Sequence, residues 1–519
     1  MPGIARGFLC LFFASSSLLF AADCASMKDV RLADTQITLA EIVTSGDFET
    51  TSSGWLHDLP PFCRVAAQIR PTPDSKIRFE VWLPVNGWNG HMVGTGNGGF
   101  AGTFYYQQMG PYLKRGFAAA GSDAGHQAEG TDSTWAVGHP EKVKDFGWRA
   151  IHLTALRGKQ IVDAYYGKPA DKSYFESCSD GGREGLMEAQ RFPEDYDGIM
   201  AGAPAAAWST SIPAGVRVVQ RLSDPADYIP DRKLPAIKRA VLSACDELDG
   251  VKDGVIGDPS QCHFDPHVLL CKQDDELDCL TQPQIDTLKL LYAGVKDKQG
   301  TVLSSGFSMG DETGWKDWMI GTDPLQSYGT RYVYNYVRYM VADPKINVLT
   351  ADPDKLLRQS RGKNAADLDA TNPDLSRFAA RGGKLILFHG WDDPVIPPGN
   401  TIKYFESVQK QMGADKTGSF VRLYIVPGME HCGLGPGANS LGQYGGDTAA
   451  GPKHGLFDSL ENWVETGSLL DAIATHYEAG PNGTTKPAFT RPLCAYPKIA
   501  KYSGSGDTND AANFACVAR

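Results

Sequence analysis

The segment Lys172-Ser173-Tyr174-Phe175-Glu176-Ser177-Cys178-Ser179-Asp180-Gly181-Gly182 joins a short strand to a helix through a turn centred on Ser179. Residues 172–176 read as the strand, and the helix runs on to Phe192-Pro193. A serine between strand and helix, flanked by small residues, suits a sharp turn that exposes its hydroxyl. The usual form is G-x-S-x-G; here Ser177 replaces the first glycine and Gly181 supplies the second. Alone, the segment could equally be an ordinary polar turn.

Outward from it, strands and helices alternate. Ile77-Arg78-Phe79-Glu80-Val81-Trp82-Leu83 reads as a strand of alternating exposure, and His91-Met92-Val93 as a strand running into Gly94-Thr95-Gly96-Asn97-Gly98-Gly99. Phe117 to Ala120 is another strand. Trp148, Ile151, Ala155, Val162 and Tyr165 recur at helical spacing, and 197–202 returns to strand. Such alternation predicts an α/β fold with a parallel sheet. The rhythm stops near Trp208 and resumes with the buried strand Lys384 to Gly390, a helix over 401–412 and the strand Val421 to Val426. The chain thus divides into an α/β domain of residues 23–207 and 379–519 and an inserted lid, 208–378, of about 170 residues.

The late strands carry the residues that give Ser179 a chemical meaning. Gly390-Trp391-Asp392-Asp393-Pro394 follows one strand, and His431 follows the next after Pro427-Gly428-Met429-Glu430. The order Ser, Asp, His is that of α/β-hydrolases, not of the chymotrypsin or subtilisin types. Ser179 would be the nucleophile, His431 the general base and Asp393 the orienting acid, with Asp392 as the alternative acid. Two backbone N–H groups would hold the oxyanion: that of Asp180 and one from the glycine-rich loop at Gly98 or Gly99. That loop lacks the lysine and the following helix of a phosphate site. His126 and His389, also near strand ends, read as structural histidines.

Residues 1–22 have the form of an export signal: Arg6, an apolar stretch from Phe8, and the small pair Ala21-Ala22. Asp23 before Cys24 argues against a lipid anchor, and no later segment is long and apolar enough to span a membrane. The location expected is secreted or periplasmic. The net charge of −11 without a basic run argues against nucleic acid or an anionic membrane as a natural partner. Of 11 cysteines, Cys10 falls in the signal, which leaves an even set for disulfides in an oxidising compartment. Proximity suggests Cys24–Cys63, Cys245–Cys262, Cys271–Cys279 and Cys494–Cys516, with Cys178 and Cys432 left over. Connectivity stays open at this level; zinc is disfavoured because no CxxC pair exists.

Cys178-Ser179-Asp180-Gly181-Gly182, His431-Cys432 and His389-Gly390-Trp391-Asp392-Asp393-Pro394 together resemble the tannase and feruloyl esterase family, which includes hydrolases of mono(hydroxyethyl) terephthalate. The resemblance covers nearly the whole mature chain; Ser177, where glycine is common, is its visible departure. It implies an α/β-hydrolase fold with a late-inserted lid, a disulfide between Cys178 and Cys432, and a structural calcium ion in the lid. By similarity, Asp246, Asp249 and Asp253 would bind that ion through carboxylates and Val251 and Val255 through backbone carbonyls, a hard-oxygen set unlike an EF-hand. Without an ion, the same segment reads as a solvated acidic turn. No organic cofactor is implied.

The expected partner is a small aromatic ester, feruloyl or another hydroxycinnamoyl ester first, free or attached to a plant cell-wall sugar. Galloyl and terephthalate esters are the alternatives. An inactive fold relative that binds aromatics or glycans is the reading from another class. Trp208, Phe307, Trp315, Trp318, Tyr328, Tyr332, Tyr334, Tyr336 and Tyr339 could wall a pocket from the lid, and Arg331 or Arg338 could meet a substrate carboxylate.

Overall fold

The computed structural model describes residues 22–519 apart from 45, 51, 53, 274, 324, 447, 448, 450–453 and 480–484. The expected export signal lies outside the described residues except for its last position. Nine strands build the central sheet: β1 (Thr35–Val43), β2 (Phe62–Ile69), β3 (Ile77–Pro84), β4 (His91–Thr95), β5 (Ala118–Ser122), β6 (Lys172–Cys178), β7 (Gly198–Gly202), β8 (Lys384–Gly390) and β9 (Val421–Val426). Their spatial order is β1-β2-β3-β5-β4-β6-β7-β8-β9. From β5 to β9 every neighbour is parallel. This is an α/β-hydrolase fold.

The parallel centre is buried on both faces. β7 is buried throughout, and β6 and β8 are buried except at their first residue. Helices α1 (Tyr106–Lys114), α2 (Ala150–Tyr166), α3 (Asp180–Arg191), α9 (Pro398–Met412) and α10 (Leu456–Thr466) supply the cover that such strands require. The expectation of a wholly parallel sheet needs correction at β3. It pairs antiparallel with β2, because a short turn after β2 returns the chain beside itself, and antiparallel also with β5. β1 and β2 extend this antiparallel flank.

Between β7 and β8 the chain leaves the sheet through α4 (Trp208–Leu222), α5 (Leu234–Cys245), α6 (Gln282–Ala293), α7 (Tyr328–Asn335) and α8 (Pro353–Leu368). This segment has two kinds of core. Leu222, Ile237, Val241, Ile285, Leu288, Trp315 and Ile320 pack on one another. Trp208, Val216, Tyr336, Val337 and Met340 instead share a core with Val81, Phe79 and Ile161 of the sheet layer.

Five disulfides join Cys24–Cys63, Cys178–Cys432, Cys245–Cys262, Cys271–Cys279 and Cys494–Cys516. Their Cα separations of 5.6, 5.9, 5.5, 4.9 and 5.5 Å are ordinary for the bond. Among the described residues no helix is long and apolar enough to cross a membrane.

Candidate active site

Ser179 sits at the junction of β6 and α3 with φ 66° and ψ −121°, a conformation costly for a side-chain-bearing residue. The surroundings hold it there. Its N–H donates to Gly202 O at 2.9 Å, and its carbonyl accepts from Ala205 N at 3.1 Å. A Cβ at Gly181 would lie 2.1 Å from Ser177 Oγ and 2.9 Å from Asn97 O, so glycine is required there. Ser177 fits where glycine is usual because its hydroxyl turns to Gln108 Oε1, 3.2 Å away.

His431 lies on the loop after β9, and the Cys178–Cys432 disulfide ties that loop to the serine turn. His431 Nε2 is 2.9 Å from Ser179 Oγ, and Nδ1 is 2.7 Å from Asp393 Oδ2. With Nδ1 donating to Asp393, Nε2 accepts from the serine hydroxyl. Of the two aspartates after β8, Asp393 makes this contact; Asp392 Oδ1 is buried without a partner.

Asp393 is 1% exposed. Burial alone would push its carboxyl up, but the facing imidazoles of His431 and His389 hold it well below the usual carboxylate range. Val395 and Ile396 also donate backbone N–H groups to Oδ1, at 2.8 and 2.9 Å. His389 meets Asp393 Oδ2 at 3.1 Å and Ile396 O at 2.8 Å through Nε2, while Nδ1 faces the Thr401 hydroxyl at 2.8 Å. Sequence reasoning treated His389 as structural; its four-residue spacing to Asp393 was the available signal.

The glycine-rich loop follows β4. Gly98, Gly99 and Asp180 all line the cavity above Ser179. Gly99 has φ 59°, and a Cβ there would meet Gly130 O at 2.3 Å and the Tyr332 hydroxyl at 2.5 Å. The Gly98 N–H faces the Tyr105 hydroxyl. His126, stacked on Trp135 at 3.8 Å, meets Phe100 O at 2.7 Å through Nε2 and so braces this loop. Burial pushes His126 down to about 4, which keeps it neutral. Sequence reasoning missed Arg183, fully buried and bidentate to Asp180 at 2.6 and 3.0 Å.

A cavity of about 680 Å³ opens over Ser179. Of the inserted-segment aromatics, Trp208, Phe307, Trp318 and Tyr332 line it, and Tyr105, Tyr404 and Tyr444 join from outside that segment. Trp318 stands edge-on to His431 at 5.8 Å. Trp315 and Tyr336 are instead fully buried core, while Tyr328, Tyr334 and Tyr339 do not reach the cavity. Neither Arg331 nor Arg338 lines it; they lie over the rings of Tyr328 and Tyr334.

The family model of tannase and feruloyl esterase matches residues 63–517. The chain belongs to the tannase and feruloyl esterase family. It is 38% identical to an uncharacterized esterase of Xanthomonas campestris pv. campestris, over 96% of this chain and 91% of the relative. It is 33% identical to the mono(2-hydroxyethyl) terephthalate hydrolase of Piscinibacter sakaiensis, over 89% of this chain and 85% of that protein. The solved feruloyl esterase B from Aspergillus oryzae superposes with a TM-score of 0.88 at 27% identity, covering 96% of this chain and 100% of that one. The chain is therefore a carboxylic ester hydrolase of a family that acts on aromatic esters.

The resemblance to this family also implied calcium after α5. There Asp246 accepts from Gly254 N at 3.0 Å, Asp249 from Val251 N at 3.0 Å and Asp253 from Val255 N at 3.1 Å. Burial, with neighbouring carboxylates adding to it, pushes Asp249 up to about 6 and raises Asp246. Asp253 Oδ2 pairs with Arg491 at 2.6 Å. The three carboxylates do not all lie within 4.8 Å of one another. Buried Asp246 and Asp249 with the exposed Asp253 offer mutually repelling oxygen donors, which fit a hard divalent cation in chemistry.

Proposed function

We propose that this esterase is secreted or periplasmic and cleaves feruloyl and related hydroxycinnamoyl esters through a Ser179–His431–Asp393 triad and an acyl-enzyme. The supporting observation is the hydrogen-bonded line from Ser179 through His431 to a buried Asp393, at the floor of an aromatic-walled cavity. His431 takes the serine proton as Oγ attacks the ester carbonyl, then delivers it to the leaving alcohol. Water repeats the sequence on the acyl-enzyme. The N–H of Asp180, with that of Gly98 or Gly99, receives the negative oxygen, and Trp318 and Tyr332 flank the aryl group. A calcium ion would be held by Asp246, Asp249 and Asp253 with the carbonyls of Val251 and Val255; it would stiffen the lid, 208–378, and supply no step of the reaction.

Hydroxycinnamates are preferred over terephthalate monoesters because neither Arg331 nor Arg338 lines the cavity. The competing reading rests on Lys403 of α9, a cation that does line it. Disulfides on five cysteine pairs support an oxidising location. The deciding experiment compares kcat/KM on methyl ferulate, methyl gallate and mono(2-hydroxyethyl) terephthalate, with Ser179→Ala as control. Methyl ferulate should be fastest, and the variant should lose about 10⁴-fold or more on every substrate while keeping its Tm. A terephthalate preference would reverse the substrate assignment, and an active variant would remove Ser179 as nucleophile.

A further inference from the structure

A second cluster of ligating side chains lies away from the cavity. His152 of α2, Glu188 of α3 and Asp195 in the turn before β7 each offer one ligand atom, and these atoms lie within 4.8 Å of one another. They form the one such group of three among the described residues. Glu188 is 0% and Asp195 2% exposed. Among the described residues no N–H or hydroxyl donor reaches either oxygen of Glu188; the group it meets is the Asp195 carboxyl. His152 faces Asp195 Oδ2 through Nδ1 at 2.6 Å, and its ring is held by stacking on Phe192 at 3.7 Å.

Two buried carboxylates this close cannot both stay ionised and unpaired. Lys159 is the basic side chain nearby, but its amine is turned to Glu194 O at 3.2 Å and over the Tyr196 ring at 5.8 Å. A proton on the Glu188–Asp195 pair, with His152 ion-paired to Asp195, or a bound cation makes up the balance. The proton leaves His152 engaged with Asp195 alone, whereas a cation would draw on all three side chains, whose ligand atoms already converge.

We propose that His152, Glu188 and Asp195 form a binding site for a zinc-class divalent cation. One imidazole nitrogen and two carboxylate oxygens, with water in the fourth position, suit such an ion. The partly exposed His152 side chain, 21% accessible, provides the route in. Asp195 precedes β7, whereas Ser179 lies beside Gly202 at its far end, so the length of a five-residue strand, about 17 Å, separates the two sites. The role is therefore structural: the ion would clamp α2, α3 and the turn into β7 at the end of the strands opposite the reaction.

The test is calorimetric titration with Zn²⁺ of full-length protein stripped with chelator and then resupplied with saturating Ca²⁺ to fill the acidic loop after α5, for wild type, Glu188→Gln and His152→Gln. Wild type should take up one Zn²⁺ that both variants lose or bind at least about tenfold more weakly, and only wild type should gain Tm on its addition. No uptake by wild type, or equal uptake by all three, overturns the proposal. A Glu188→Gln protein with unchanged Tm and no zinc difference would assign the shared proton instead. Should Glu188→Gln fail to fold, the partly exposed His152→Gln carries the comparison. Anomalous scattering at the zinc edge from wild-type crystals must then put the ion between these three side chains; an ion elsewhere also overturns it.

Discussion

Asp393 is the residue on which the candidate triad converges. Two imidazoles share its Oδ2, and only one of them, His431, faces Ser179. Each hydrogen bond an acceptor receives weakens its pull on the next donor, so His389 tempers the hold of Asp393 on His431 as well as fixing the carboxylate plane. Replacing His389 by Phe should leave Asp393 a stronger acceptor. The acidic limb of the kcat/KM profile should then move to higher pH, with kcat reduced about tenfold or more. His389→Gln, which keeps a donor, should recover most of the shift. A loss of Tm with an unmoved profile would make His389 a packing residue only. This layer was partly legible. Residue types and strand order pointed to Ser179, Asp393 and His431; His389 offered only its four-residue spacing to Asp393, and Arg183 carries no sequence signature until the fold brings it against Asp180.

At the scale of elements, the Cys178–Cys432 bond joins positions 254 residues apart, linking the β6–α3 turn to the loop after β9. Chain-entropy reasoning puts the constraint of so long a loop near the upper end, about 5 kcal/mol. On the proposed triad its catalytic value would exceed its stability value, because a His431–Ser179 pair would tolerate little misplacement. The Cys178→Ala/Cys432→Ala protein should lose about 100-fold in kcat/KM even where it remains folded. Opening Cys271–Cys279, whose partners are eight residues apart, should leave activity within about twofold. Equal losses from the two would deny the triad any special dependence on the first bond. The acidic loop after α5 gives a separate expectation: chelation should lower Tm, and Asp249→Asn should abolish that response. A chelator-insensitive Tm, or metal analysis without calcium, would leave an acidic turn pinned by Cys245–Cys262. Strands of the parallel centre were readable as apolar runs. β1 was missed because a half-exposed strand alternates weakly among polar residues.

For the molecule as a whole, buried carboxylates set the pH dependence of stability. Burial chiefly pushes Glu184 up to about 8, Glu430 and Glu461 up to about 7 and Asp123 up to about 6. Such groups hold protons in the folded state that the unfolded chain releases from about pH 4 upward. Stability therefore falls as pH rises through about 5 to 8. Asp393 acts the other way, and its contribution is lost only as pH drops below about 4. Tm measured with chelator present should be highest near pH 5 and decline toward pH 8, and Glu184→Gln should flatten the decline. A Tm that climbs steadily from pH 5 to 8 would contradict this reading.

The sequence by itself determined the α/β class, the place where the chain leaves the sheet, and a serine, an aspartate and a histidine at three strand ends. These follow from periodicity and turn chemistry, which are local. Tertiary structure decided what depends on distant segments meeting. It brought Asp393 rather than Asp392 against His431, closed the five disulfides, and sorted the inserted aromatics into cavity wall and core. It also kept both candidate arginines out of the cavity and packed part of the inserted segment onto the sheet while another part built a core of its own. Side-chain direction and burial are settled by packing between segments hundreds of residues apart, and no local pattern encodes them.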